Sequence, residues 1–181
     1  MKKGFTIWFT GLSAAGKTTL GGLLYDYLKE RGESAELLDG DVVRQSICKD
    51  LAFSKEDRLE NIRRVCFLSK LLNKHGIIVI ASFITPYNEM RGYLKEEIEN
   101  YIEVYTKCSL DALIQRDPKG LYKKALNGEI KQFTGISDTF EEPESPNLTV
   151  ETDKNTPDDC LKIIITYLQE KGCITESDIK G

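Results

Sequence analysis

The chain has little histidine and no paired cysteines. Its 181 residues include one histidine, His75, and five scattered cysteines, none of them in a CxxC pair. An odd number of widely spaced cysteines favours neither a disulfide framework nor a zinc site. We therefore expect a reduced, cytoplasmic protein. His75 follows a helical pattern, where a surface contact at the C-terminus of the helix is its simplest role.

Long apolar runs and an excess of positive charge are also missing. No run approaches the roughly 18 apolar residues that a membrane-spanning helix needs. The first residues, MKKGFTIWF, lead directly into a predicted strand rather than into an apolar signal region. The net charge of −4 gives no reason to expect a polyanion as partner. We therefore expect neither secretion nor binding to nucleic acid or membranes.

Short apolar runs alternate with helical patterns along the chain. The predicted strands cover residues 5–9, 35–38, 77–81, 101–106 and 148–152. The predicted helices cover residues 17–31, 54–74, 89–99, 109–117, 121–126 and a segment that begins after Thr156. This alternation predicts an α/β fold with a mostly parallel sheet and helices on both faces. With 40% hydrophobic residues, the chain suits a single domain over residues 1–181.

A glycine-bounded loop lies between the first strand and the first helix. Its sequence, GLSAAGKTT, matches GxxxxGK[ST], the P-loop motif. Backbone N–H groups of such a loop bind phosphate, Lys17 would reach the β- and γ-phosphates of ATP, and Thr18 would hold Mg²⁺. The candidate nucleotide-binding residues are Gly11, Leu12, Ser13, Ala14, Ala15, Gly16, Lys17, Thr18 and Thr19. The alternative is a glycine-rich turn with a solvent-facing lysine.

The P-loop indicates a nucleotide but not a reaction. A GTPase would also need a DxxG motif after a strand and an NKxD motif. Residues 117–120 match DxxG but follow a helical pattern. Residues 73–76 begin like NKxD but lack its aspartate. Small P-loop phosphotransferases instead carry acids after the second strand and a basic lid. Asp39, Asp41 and the basic residues 116–131 fit that scheme. We therefore favour an ATP-dependent kinase with an alcohol acceptor.

Asp39 and Asp41 are the candidate acid–base residues, because the single histidine, His75, is predicted at the end of a helix and a carboxylate must then act as the base. Two residues apart at a strand end, their side chains are expected on one face. One would hold Mg²⁺ through water and the other would accept the proton of the acceptor hydroxyl, with the assignment open. Lys17, Asp39 and Asp41 are thus the candidate catalytic residues, and Thr18 and Asp39 the candidate metal ligands. The alternative for Asp-Gly-Asp is an ordinary solvated turn.

Six segments match the sequence pattern of one known family. They are GLSAAGKTT (11–19), LLDGDVVR (37–44), LAFSKEDRLENIRR (51–64), SFITPY (82–87), RDPKGLYKKALNGEIKQFTGI (116–136) and FEEPESPNL (140–148). On these segments, nearly the whole chain resembles the adenylyl-sulfate kinase (APS kinase) family. The resemblance implies a three-layer P-loop NTPase fold with a five-stranded sheet and a mobile lid over approximately residues 116–140. It also implies transfer of the ATP γ-phosphate to the 3′-hydroxyl of adenosine 5′-phosphosulfate (APS), in sulfate activation.

The resemblance also implies which residues bind the acceptor. Arg44 and Arg58, with Arg63 as a third candidate, would clamp the phosphosulfate, because guanidinium groups suit phosphate and sulfate oxygens. Phe53 and Phe133 would sandwich the adenine. Further matches to acceptor positions are Asp41, Asn61, Ile84, Thr85, Lys119 and Leu121. Each has a structural alternative, such as a salt bridge along a helix or a place in the core.

The chain departs from the family pattern at three positions. Thr85 stands where members usually have a serine that has been proposed to form a phosphoenzyme, and Ala14 and Ala52 stand where glycine is frequent. Direct in-line transfer, with Thr85 as a hydrogen-bonding residue near the acceptor, is the simpler hypothesis.

Two other functions remain open at this point. One is a different small-molecule P-loop kinase, and the other is a non-catalytic ATP-binding regulatory module. The intact Lys17, Thr18, Asp39 and Asp41 argue against the second. Among partners, the resemblance implies a homodimer and a functional association with ATP sulfurylase.

Overall fold

A parallel β-sheet forms the centre of the computed structural model, which describes residues 4–175. The five strands have the order β2-β3-β1-β4-β5, and all four neighbouring pairs are parallel. The strands are β1 (Thr6–Thr10), β2 (Ala35–Asp39), β3 (Ile78–Ser82), β4 (Tyr101–Lys107) and β5 (Leu148–Glu151). The predicted α/β class and parallel sheet are confirmed, and each strand lies within one or two residues of its predicted position.

Seven helices accompany these strands in the described part of the chain. They are α1 (Lys17–Glu30), α2 (Gly40–Gln45), α3 (Lys55–Lys74), α4 (Asn88–Glu97), α5 (Leu110–Arg116), α6 (Leu121–Leu126) and α7 (Pro157–Glu170). No helix between residues 4 and 175 is both long and apolar enough to cross a bilayer.

The sheet has a separate hydrophobic cluster on each face. Ile7 and Phe9 of β1 pack with residues of α1 and α7, whereas Trp8 packs on the other face with residues of α3 and α4. All five residues of β1 are buried. Because successive side chains of a strand point to opposite faces, a strand covered on both sides is buried along its whole length. The sheet and the helices packed on its two faces thus form the three expected layers.

Helix-capping signals in the sequence are confirmed. Ser54 Oγ accepts a hydrogen bond from the backbone N–H of Asp57 at 3.1 Å, which satisfies one of the free donors at the start of α3. Thr156 caps α7 in the same way, followed by Pro157 in the first turn. His75 is the exposed residue that ends α3, as predicted.

Helix α2 is not predicted by the sequence patterns, and it corrects the expected arrangement of Asp39 and Asp41. Strand β2 ends at Asp39, and the chain turns directly into α2, so Asp41 lies in the first helical turn. Asp39 Oδ1 accepts a hydrogen bond from the backbone N–H of Asp41 at 2.9 Å. The expectation that strand alternation places both carboxylates on one face is therefore wrong, because the strand has already ended.

Candidate active site

A cleft of about 640 Å³ opens at the carboxyl edge of the sheet, where ligands bind in open α/β folds. Most of the predicted site residues line it. They are Ser13, Ala14, Gly16, Lys17, Thr18, Thr19, Asp39, Asp41, Arg44, Phe53, Arg58, Asn61, Ile84, Thr85, Lys119, Leu121 and Phe133. Gly11, Leu12 and Ala15 belong to the same loop but do not line the cleft. One cavity thus contains both the predicted nucleotide loop and the predicted acceptor residues.

The loop between β1 and α1 has the backbone of an anion cradle. Gly11 lies so close to β4 that an added Cβ atom would be 2.5 Å from Thr106 Oγ1. Gly16 precedes α1 with φ 94°, a left-handed conformation that favours glycine, and no side chain caps the helix. The first N–H groups of α1 therefore lack a capping side chain, and the positive end of the helix dipole favours an anion.

Lys17 is buried at the start of α1. Its Nζ donates a hydrogen bond to the carbonyl oxygen of Leu12 at 2.6 Å, so the side chain lies against the P-loop. Burial lowers the pKa of Lys17 from 10.5 to about 8, while the charges of Asp39 and Asp41 act in the opposite direction. The amine thus lies where it can bind phosphate oxygens, and its charge depends on pH near this pKa.

Thr18 and Asp39 lie together beside the P-loop. Thr18 Oγ1 donates a hydrogen bond to Asp39 Oδ2 at 2.8 Å. No group of three or more His, Cys, Asp and Glu side chains suited to a metal occurs within residues 4–175. Mg²⁺ keeps several waters and commonly binds one or two protein oxygens together with substrate phosphates. A hydroxyl and a carboxylate beside a phosphate loop fit that ion.

Asp41 contacts the segment that the sequence predicts as a lid. Its Oδ2 accepts a hydrogen bond from Lys119 Nζ, which lies just before α6. This bond raises the pKa of Lys119. Both side chains are largely exposed, so the ion pair contributes little to stability. It does place a cation beside the candidate base.

Arg58 joins α3 to the same segment. It is buried, and its guanidinium donates hydrogen bonds to the carbonyl oxygens of Phe53 and Gln132, both at 2.9 Å. Asp138 Oδ2 lies 3.3 Å from the guanidinium. A buried arginine with a partner in the segment after α6 is well placed to bind an anionic group in the cleft.

The two predicted stacking residues border the cleft from different segments. Phe53 precedes α3, and 55% of it is exposed; the Arg44 guanidinium lies 4.5 Å from its ring centroid. Phe133 follows α6 and packs edge-on against Tyr122, with the ring centroids 5.0 Å apart. Both aromatic rings are therefore held at the cleft by packing on a neighbouring residue.

Arg63 does not belong to this site. It is exposed and borders a different depression, together with Ile47 and Phe67. Five residues along a helix correspond to a rotation of about 140°, so Arg63 lies on the opposite side of α3 from Arg58. The expectation that it helps to clamp the acceptor is therefore wrong.

Thr85 is held in an unusual conformation at the wall of the cleft. Its φ is 49°, although β-branched residues rarely adopt positive φ. The side chain is buried, and its hydroxyl accepts a hydrogen bond from Trp8 Nε1 at 2.8 Å. This geometry fits a hydrogen-bonding wall residue better than an exposed nucleophile. Ala14 of the P-loop also has positive φ, at 60°, which agrees with the glycine that the family often has there.

Sequence reasoning missed Thr134 as a candidate. Thr134 lines the cleft, is 3% exposed, and has a hydroxyl without a hydrogen-bond partner among the described residues. The side-chain oxygen of Asn61 is in the same state. Buried polar atoms are normally satisfied, so two unpaired ones at a cleft point to a polar ligand. A threonine in a polar loop carries no pattern that distinguishes it, except its place in the matching segment FTGI.

Comparison with known proteins agrees with this geometry. The family model described as adenylylsulphate kinase matches residues 3–151. An adenylyl-sulfate kinase of Halothermothrix orenii is 51% identical over 173 residues, which cover 96% of this chain and 94% of the relative. The structure of the Mycobacterium tuberculosis APS kinase with AMPPNP and APS is 38% identical, covers 93% of this chain and 99% of that chain, and has a TM-score of 0.90. The chain therefore belongs to the adenylyl-sulfate kinase family.

Proposed function

We propose that this chain transfers the γ-phosphate of ATP to the 3′-hydroxyl of adenosine 5′-phosphosulfate, which gives 3′-phosphoadenosine 5′-phosphosulfate and ADP. The observation that carries this proposal is the single cleft, in which the P-loop and Asp41 lie together with the buried Arg58. The similar APS kinase of Mycobacterium tuberculosis, whose structure is a complex with AMPPNP and APS, supports the same donor and acceptor.

On the donor side, the backbone of residues 11–19 and the N-terminus of α1 bind the triphosphate. Lys17 leaves the Leu12 carbonyl oxygen and neutralises charge on the phosphates. Thr18 and Asp39 would hold Mg²⁺, which would supply positive charge to offset the charge of the triphosphate.

On the acceptor side, Asp41 is the base and Asp39 is the metal ligand. Both oxygens of Asp39 already have partners, Thr18 Oγ1 and the N–H of Asp41. The Asp41 carboxylate is 66% exposed, and its one described partner is the exposed Lys119 side chain, so it is the carboxylate that we assign to accept a proton from the 3′-hydroxyl. These contacts support the proposed division of roles, which the sequence leaves open.

The remaining cleft residues bind and orient the acceptor. Arg44 and Arg58 bind the phosphosulfate, and Phe53 and Phe133 stack on the adenine. The unpaired Asn61 Oδ1 accepts a hydrogen bond from a polar group of the acceptor, and the unpaired Thr134 hydroxyl donates or accepts one. The other residues in contact with the acceptor are Ile84, Thr85, Lys119 and Leu121.

An acceptor panel tests the proposal. Wild type and Asp41→Ala receive MgATP with APS, adenosine 5′-monophosphate or gluconate, and ADP release and nucleotide products are measured. We expect a 3′-phosphorylated product from APS alone, and a rate about 100-fold lower for Asp41→Ala. Transfer to gluconate alone would instead indicate a sugar-acid kinase. Binding of ATP without any turnover would indicate a regulatory module.

The assembly and location of the chain are further proposals. We propose a cytoplasmic homodimer that acts together with ATP sulfurylase. Self-association is supported by a hexameric APS kinase of Thiobacillus denitrificans. The association with ATP sulfurylase is supported by a probable bifunctional SAT/APS kinase of Sorangium cellulosum. Light scattering of the purified chain, alone and with a sulfurylase, tests both.

A further inference from the structure

The wall of the cleft after β3 is a strained turn that several elements hold in place. The Ile84 carbonyl oxygen accepts hydrogen bonds from Thr10 Oγ1 at 2.8 Å and from the N–H of Gly11 at 3.3 Å. Thr85, at positive φ, is bonded to Trp8 through its hydroxyl. A residue in this conformation persists only when its surroundings determine it. The turn is therefore fixed to β1 and to the start of the P-loop.

Arg91 of α4 holds the other side of this turn. Its Nη1 donates a hydrogen bond to the Thr85 carbonyl oxygen at 2.5 Å, and its Nη2 donates to Asn88 Oδ1. The residue is 5% exposed, and Glu103 of β4 lies 3.6 Å from its Nε. A buried arginine with a carboxylate partner and several acceptors is a rigid support, because its planar donors fix the geometry.

The same guanidinium reaches the segment that follows the lid. Arg91 Nη2 donates to the Glu141 carbonyl oxygen at 2.6 Å. The N–H of Glu141 donates to the Pro86 carbonyl oxygen at 2.8 Å, and Glu141 Oε2 accepts from the N–H of Asn88 at 2.6 Å. Residues 84–88 and Glu141 are thus joined by hydrogen bonds in both directions, with Arg91 at their centre.

We propose that Arg91 is a positioning residue for the acceptor half of the site: it holds the Thr85 turn and Glu141, which directly follows the lid, in one fixed relation. The acceptor lies between that turn and the lid, whereas the nucleotide lies on the P-loop. Loss of the Arg91 hydrogen bonds therefore weakens acceptor binding and leaves ATP binding unchanged. This inference rests on the acceptor site of the proposed function.

The test uses Arg91→Lys, which keeps a cation for Glu103 but loses the planar set of donors. Arg64→Lys is the matched control, because Arg64 of α3 also makes several hydrogen bonds, to Ile47, Asp50 and Glu60, outside the cleft. We expect Arg91→Lys to raise the KM for APS about tenfold or more, with the KM for ATP within about twofold of wild type. Arg64→Lys should change neither constant.

A second variant and a second measurement test the role of Arg91 independently. Asn88→Ala removes one exposed acceptor of Arg91 and should raise the KM for APS about threefold. Hydrogen exchange, followed by mass spectrometry, should be faster in residues 133–142 of Arg91→Lys than in wild type or Arg64→Lys, with α1 unchanged.

Each result has one meaning. If wild type phosphorylates APS and Arg91→Lys keeps its acceptor KM, the positioning role is overturned and the proposed function stands. An equal rise of both KM values would show a general structural role and overturn it as well. If wild type does not phosphorylate APS, the proposed function fails; unchanged hydrogen exchange in Arg91→Lys would then overturn the positioning role independently.

Discussion

At the scale of single residues, burial and charge oppose each other at Lys17. Burial lowers the pKa of this amine to about 8, while Asp39 and Asp41 act to raise it. A bound triphosphate adds negative charge beside the amine and favours its protonated form. The pKa of Lys17 is thus higher in the complex than in the free chain, so binding of ATP above about pH 8 takes up a proton.

We expect the affinity for ATP to fall as the pH rises above about 8, by up to about tenfold per pH unit. Below this pH Lys17 is charged in both states, and the dependence disappears. Calorimetry near pH 8.5, in two buffers of different ionisation enthalpy, measures the proton uptake. Lys17→Met is the control, because it keeps the length of the side chain without an ionisable group. The same uptake in that variant would assign the proton to another group.

Thr85 provides a test of direct transfer. Thr85→Ala leaves the buried N–H of Trp8 without its partner, which destabilises the fold by about 1–3 kcal/mol. Because the hydroxyl is not the nucleophile in direct transfer, kcat should fall less than about tenfold. Urea unfolding and steady-state kinetics measure the two effects, and Thr85→Ser is the matched control. A loss of several thousandfold in kcat would revive a phosphoenzyme.

The sequence identifies most of these residues but not their contacts. Lys17 and Thr18 are predictable because their proposed roles follow from local spacing within one loop. The bond between Lys119 and Asp41 joins positions 78 residues apart, and no local pattern specifies it. Arg63 is misassigned because a matching segment does not show which face of a helix a residue occupies. Positive φ at Thr85 is equally unpredictable, since threonine disfavours that conformation.

At the scale of elements, the start of α3 connects stability with the proposed acceptor site. Ser54 caps this helix, and its Oγ also donates a hydrogen bond to Asp57 Oδ2 at 2.9 Å. Arg58 and Asn61 lie in the first two turns and line the cleft. Fraying of the N-terminus would therefore move both of them.

We expect Ser54→Ala to lower the free energy of unfolding by about 1 kcal/mol and to raise the KM for APS more than the KM for ATP. Ser69→Ala is the matched control, because Ser69 lies further along α3 and bonds the Val65 carbonyl oxygen of its own helix. That variant should change stability by less than about 0.5 kcal/mol and leave both KM values unchanged. An equal loss in the two variants would contradict the capping explanation.

Elements with a strong local signal are the ones that the sequence predicts. Ser54 and Thr156 mark their helices, and the apolar runs of β1 and β3 indicate buried strands. Helix α2 has only six residues, with glycine first and two valines, all of which have modest helix propensity. Its one sequence signal is the capping residue Asp39, and the same residue is equally compatible with the end of a strand. Its formation depends on tertiary packing, as the burial of Val43 shows.

At the scale of the whole molecule, the predicted lid contacts both halves of the cleft. Lys119 bonds Asp41 after β2, and Gln132 and Asp138 contact Arg58 of α3. The chain has a net charge of −4, yet it presents cations to the cleft from the P-loop, α2, α3 and the lid. A local cluster of cations attracts anionic substrates in spite of the overall charge. Closure over two anionic nucleotides would bring these cations together and exclude water from the phosphate in transfer.

We therefore expect ADP and APS together to protect residues 116–140 from trypsin about tenfold more than either nucleotide alone, because cleavage follows the population of open lids. Four exposed lysines of this segment are the sites to follow, namely Lys119, Lys123, Lys124 and Lys131. Cleavage at the exposed Lys154 and Lys162, outside the lid, is the internal control and should respond less. Mass spectrometry of the fragments measures both sets. Full protection by ADP alone would mean that the lid closes on the donor nucleotide, and the acceptor would then have to enter a site that is already covered.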